Sequence, residues 1–235
     1  MQKQYTIYKN FFYLVLTAFI FSFYSCGNDE LPIKSIQKEL NNVPHYSVIL
    51  NDMKEEGNFF KEYLHQYKIV QPNLSWKKEW VKVPEQYYQS TAGLLGMALL
   101  AKKGNEIIDT AFPPVFQYVG DNRYGNWQPD NAGNMLWAFN RGTPLFGELD
   151  IDIHPPVYKK DYSAYIKSKT KKVPFLGLNK QYGTSGNFTK KIKPDFFARH
   201  KAKQSIKAAS FTNKVSSRIG RSKTNFRGRS GSGGK

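Results

Sequence analysis

Glu148, Asp150, Asp152 and His154 come nearest, by type and spacing, to a chemical site in this chain. They alternate with Leu149, Ile151 and Ile153. On a β-strand every second side chain shares a face, so three carboxylates and an imidazole would point one way and the aliphatic residues into a core. Carboxylate oxygen and imidazole nitrogen are donor types of hard-cation and zinc sites, which makes Asp150, Asp152 and His154 the candidate ligands. Same-face neighbours on one strand stand about 7 Å apart, however, so a single strand needs further ligands to enclose an ion. A half-buried strand with a solvated acidic face gives the same pattern and is the favoured explanation. No metal cofactor is expected, and a metal-dependent hydrolase centred on these residues stands as a minor alternative.

Other catalytic signatures are missing. The chain has no Gly-x-Ser-x-Gly, phosphate-loop, His-Glu-x-x-His or dinucleotide sequence, and His45, His65 and His200 are isolated. Gly120 to Asn134 is a long run of turn formers holding Tyr124 and Trp127. An aromatic pair among amides is a candidate sugar or peptide site; aromatics folded back to pin the loop are the commoner case. Binding is expected rather than catalysis.

One cysteine, Cys26, excludes a disulfide within the chain. Before it, Met1 to Asn10 carries Lys3 and Lys9 and no acid, and Phe11 to Ser22 is a twelve-residue run with only Thr17 and Ser22 polar. A cationic start and a short apolar core have the form of a secretory signal. The run is shorter than the roughly twenty residues needed to span a bilayer. Phe23-Tyr24-Ser25-Cys26 then sets a small residue directly before the thiol. This resembles the lipobox of bacterial lipoproteins, differing at Phe23 and Tyr24, where Leu and a small residue are typical. The resemblance implies a covalent lipid on Cys26, a signal peptide over 1–25 and anchoring in the bacterial cell envelope. An uncleaved signal anchor is the alternative. Gly27-Asn28-Asp29-Glu30 is similar to acidic sorting signals for the outer membrane or cell surface, and equally fits a plain tether over 26–32.

Charge divides the remainder. Residues 159–235 hold 21 Lys and Arg against Asp161 and Asp195, a net of +19, whereas residues 1–158 hold 14 bases and 16 acids, a net of −2. Such asymmetry marks a basic tail on a mildly acidic domain. Residues 205–235 are rich in Ser, Gly, Arg and Lys, with too little apolar surface to offset ordering entropy, and are expected to be disordered. Arg221, Arg227 and Arg229 are the candidate binding residues there. Residues 159–204 form a partly ordered basic extension in which Val173 to Leu178 and Pro194 to Phe197 could dock on the domain. Ala198 to Ala209 suits a short basic helix. The acidic face over 148–154 could instead receive part of the tail, a weak and salt-sensitive contact.

A globular unit over 33–158 has the length of one domain with one core. His45 to Leu50 reads as a strand, paired as a hairpin with Phe59 to Val70 through a turn at Glu55 to Asn58. Trp76 to Val83 reads as a further strand. Pro84 and Glu85 suit a helix start, Ala92 to Ala101 is apolar all round, and Lys102-Lys103-Gly104 suits a helix end. The expected fold is α+β, a small antiparallel sheet packed on a buried central helix over about 84–103, with a disordered basic C-terminal tail.

Together these features predict a membrane-anchored envelope lipoprotein, a binding or scaffold protein whose tail engages anionic lipids or envelope polymers. Surface nucleic-acid binding is the alternative, since Phe226-Arg227-Gly228-Arg229 resembles Arg-Gly segments that hold single strands by charge and stacking.

Overall fold

The computed structural model describes residues 30–57, 59–140, 149 and 151–221. Helix α1 (Pro32–Glu39) precedes β1 (His45–Glu56), β2 (Glu62–Gln71), β3 (Leu74–Lys77) and β4 (Val81–Lys82). Helix α2 (Glu85–Thr91) leads to β5 (Ala98–Lys103) and β6 (Glu106–Ile108), and a hairpin of β7 (Gly125–Pro129) and β8 (Met135–Phe139) follows. Helices α3 (Lys159–Thr170), α4 (Asn187–Ile192) and α5 (Pro194–Arg221) end the described chain. The fold is α+β. Its main sheet runs β3-β2-β1-β5-β6, antiparallel throughout, with β4 pairing β2 beside β3.

The hairpin of β1 and β2 forms where β-branched and aromatic residues flank the turn at Gly57, whose φ of 84° suits glycine. The expected strand over 76–83 is two short pieces, β3 and β4, separated at Lys78 to Trp80.

The helix expected over 84–103 ends at Thr91. Gly96, at φ 77°, turns the chain back, and from Ala98 to Ala101 the chain continues as a buried strand inside the sheet. A strand covered on both faces is apolar at every position, so its composition mimics a buried helix. Lys102 and Lys103 end that strand, and Gly104, at φ 62°, turns it into β6.

One core cluster gathers α1 (Ile33, Ile36), the sheet, a 3-10 turn over Pro114–Gln117 and, well beyond residue 158, Tyr165, Phe175, Tyr182 and Phe196. Phe116 is the hub: its ring lies 5.4 Å from Tyr165, 5.2 Å from Phe175 and 6.2 Å from Tyr182. Phe175 N–H also donates to Ala111 O (2.9 Å), and Thr184 clips the returning chain to residues 92–95 through Ala92 O and Leu95 N–H. The stretch 159–197, expected to be partly ordered, is therefore integral to the core.

Residues 205–221, expected to be disordered, continue α5. No Gly or Pro interrupts residues 195–219, while Ala, Lys and Gln favour helix. The docked first half of α5 supplies the nucleus whose cost a free segment would bear alone. Residues 222–235 of the expected tail lie outside the described residues.

Candidate functional site

Two irregularities in the sheet build the site. Leu50 pairs with Tyr67 and Asp52 with Gln66, which leaves Asn51 as an extra residue on β1. On the other side Val48 pairs with Leu100 and Ile49 with Ala98, leaving Leu99 extra on β5. Bulges re-aim side chains and locally end regular pairing. Asn51, the extra residue of β1, lines a cavity of about 150 Å³. Gly96 lines it as well, and a Cβ there would stand 3.4 Å from Thr189 Cγ2 in a backbone conformation that favours glycine.

Asn51 is buried and held at both ends of its amide: Nδ2 donates to Gln66 Oε1 (2.7 Å), and Oδ1 accepts from Lys193 Nζ (2.5 Å). Lys193 joins α4 to α5. Lys68 on β2 and Lys77 on β3 are direct cross-strand partners and also line the cavity. Val115, Leu149, Tyr182, Phe188 and Ile192 supply an apolar wall. No aspartate or glutamate lines this cavity among the described residues.

His154, a candidate metal ligand, sits in the same wall. Its ring stacks on Tyr182 at 5.4 Å and meets Phe188 edge-on at 4.8 Å. Nδ1 lies 2.7 Å from Pro155 O, the geometry of an N–H donated to that carbonyl. Burial pushes its pKa down to about 4, so the ring is neutral at pH 7. Residues 151–153 form a 3-10 turn, not the alternating strand expected over 148–154. Three residues per turn spread the side chains around an axis instead of sorting them onto two faces. Asp152 is exposed; Glu148 and Asp150 lie outside the described residues. No group of three metal-ligating side chains occurs among the described residues.

Beside the cavity, α5 docks along the C-terminal half of β1. Arg199 Nη2 donates to both carboxylate oxygens of Asp52 (2.7 and 2.6 Å). Lys203 Nζ reaches Glu55 at Oε2 (3.0 Å) and at its backbone oxygen (2.8 Å). Hydrogen bonds from Lys61 and then Lys203 hold the Glu55 carboxyl down at a pKa of about 2. The basic segment thus meets the acidic end of β1, while Glu148 and Asp150, the other acids it could meet, lie outside the described residues. From Gln204 to Ser216 every residue of α5 is exposed, including Ile206, Phe211, Lys207 and Lys214.

Tyr124 and Trp127 fold back onto the domain. Tyr124 packs edge-on against Tyr118 (5.0 Å), and Trp127 lies 5.1 Å from Trp137 and 5.9 Å from Tyr162. The expected loop is largely the β7–β8 hairpin. Arg221 ends α5; Arg227, Arg229 and Cys26 lie outside the described residues.

Sequence reasoning passed over His65. It is fully buried on β2, with Nδ1 3.0 Å from Tyr67 Oη and Nε2 3.4 Å from Thr91 Oγ1, and with the rings of Tyr87 and Tyr88 within 6 Å. Burial lowers its pKa to about 4. The signal was present in the alternation Tyr63, His65, Tyr67 beside Tyr87-Tyr88.

No family model, no curated protein and no solved structure matches this chain.

Proposed function

We propose that the chain is an envelope-anchored binding protein, held by a lipid on Cys26 at the outer membrane, whose C-terminal basic helix engages anionic lipids or envelope polymers. The observation that carries this reading is the division of α5. Its first half pairs with Asp52 and Glu55, while residues 204–216, which include Lys207 and Lys214, are exposed along their whole length. A helix of 28 residues is about 42 Å long, so the exposed half reaches well clear of the domain. An isolated helix without a packed face is only marginally stable, which favours a surface to lie against. Near an anionic bilayer each Lys or Arg adds about 1 kcal/mol, and Phe211 with Val215 places apolar area beside that charge.

Vesicle flotation of the full chain carrying Cys26→Ser tests the helix apart from the lipid. Binding to phosphatidylglycerol-containing vesicles should exceed binding to phosphatidylcholine vesicles, and salt should erase the difference. Lys207→Glu with Lys214→Glu should reduce the excess by roughly tenfold or more. An excess unchanged by both substitutions would remove α5 from the reading.

A further inference from the structure

We infer that the turn between β1 and β2 is a membrane-contact tip that sets Phe59 and Phe60 into the interfacial layer of the bilayer. The inference rests on the envelope-anchored reading above and adds a second, uncharged contact with the same surface.

The ladder of β1 and β2 closes at Glu56 and Glu62, and Phe59 and Phe60 stand in the turn beyond it, 97% and 90% exposed. Apart from Phe211 on α5, every other described phenylalanine is buried or packed against the core. Single exposed apolar side chains are ordinary on a protein surface. Two adjacent rings, however, leave about 300–500 Å² of apolar area at one projecting point.

The charges around the rings allow that point to approach lipid. Glu55 pairs with Lys61 at 2.5 Å and with Lys203 at 3.0 Å, Glu56 with Lys54 at 2.6 Å, and Glu62 with Lys82 at 2.5 Å. Each of these three acids carries a cation, which offsets its repulsion from anionic headgroups. The Lys203 pair also ties the tip to α5, and Lys207 lines one groove with Glu55 and Glu56. The rings therefore stand at the same end of the domain as the exposed start of the basic helix.

Tether length and patch size point to a bilayer as the partner. Glu30 follows Cys26 by four positions, so a lipid on Cys26 keeps Glu30 within about 14 Å of the membrane surface. A specific protein interface buries about 800 Å² on each side, more than two rings supply. A bilayer needs no matched surface, and aromatic rings beside lysine stems are side chains that settle at its interface.

A local fluorescent reporter tests the tip. In a full chain carrying Cys26→Ser, Glu62→Cys is the single thiol and takes a polarity-sensitive fluorophore two residues from Phe60. That change gives up only an exposed ion pair. Leu74→Cys, beyond the far end of β2, carries the same fluorophore in a comparison chain. Both chains are mixed with phosphatidylcholine vesicles in high salt, which screens α5, and residues 1–25 are common to the two. The label at position 62 should shift to shorter wavelength and lose its quenching by iodide, while the label at 74 should do neither. Phe59→Ser with Phe60→Ser should abolish the shift at 62, with a thermal melt confirming the fold. The inference is overturned by a silent label at 62, by equal shifts at both positions, or by a shift that survives the serine substitutions. A silent label beside an undiminished preference for phosphatidylglycerol strikes the tip and leaves α5; a shift at 62 without that preference strikes α5 and supports the tip.

Discussion

Lowering the pH from 7 to 4 is expected to remove about 3 kcal/mol of stability through His65 alone. Burial lowers its pKa from 6.5 to about 4 in the folded chain. In the unfolded chain the imidazole gains its proton near pH 6.5, whereas in the folded chain it stays neutral until about pH 4. Between those values the unfolded state binds more protons, so stability is complete above pH 6.5 and is lost as pH falls towards 4. His154 is shifted the same way, also mainly by burial, and deepens the loss in the same window. Glu55, lowered from 4.5 to about 2, contributes a separate loss that begins as pH falls through 4.5 and runs on down towards 2. Urea unfolding at several pH values measures this. His65→Phe should lessen the drop between pH 6.5 and 4, because it removes the titration while Thr91 Oγ1 keeps the carbonyls of Tyr87 and Tyr88 as acceptors. A pH dependence identical in the variant would show that His65 is not the group responsible.

Phe116→Ala is expected to destabilise the domain by about 3–5 kcal/mol. The ring is almost completely buried and touches Tyr165, Phe175 and Tyr182, so truncation leaves a cavity that three separate segments cannot close. Ordinary domains have only about 5–15 kcal/mol in total, so the loss is large. The same contacts make residues 159–197 indispensable: a chain cut after Val157 loses Tyr165, Phe175, Tyr182 and Phe196 from the core and should unfold without a cooperative transition. A sharp unfolding transition in that truncated chain would mean that the core closes without them.

Much of the sheet was legible because its residues announce themselves locally. His45 to Leu50 is β-branched and aromatic, and Glu55 to Asn58 is turn-forming, so the β1–β2 hairpin follows from neighbours in sequence. The buried strand β5 was not legible, since its apolar residues carry no period that distinguishes it from a helix and only Gly93 and Gly96 argued against one. Residues 148–154 misled for the converse reason: perfect alternation in sequence does not oblige the chain to be extended, and residues 151–153 close into a 3-10 turn.

The candidate site was almost invisible in sequence. Asn51, Lys68, Lys77 and Lys193 are separated by up to 142 residues, and each alone is an ordinary polar residue. Asn51 reaches the site because a bulge inserts it into β1, and bulge positions depend on pairing between distant strands. The charge asymmetry of the chain was plain, but its destination was not. Arg199 and Lys203 find Asp52 and Glu55, acids on a strand that looked merely structural.

Fatty-acid labelling in cells, comparing the natural chain with Cys26→Ser, tests the central proposal of an envelope-anchored protein most directly. The natural chain should carry label and appear as a shorter mature form cut before Cys26, and both should be lost in the variant. Equal absence of label in the two chains would contradict it and leave α5 alone to hold the protein at any membrane.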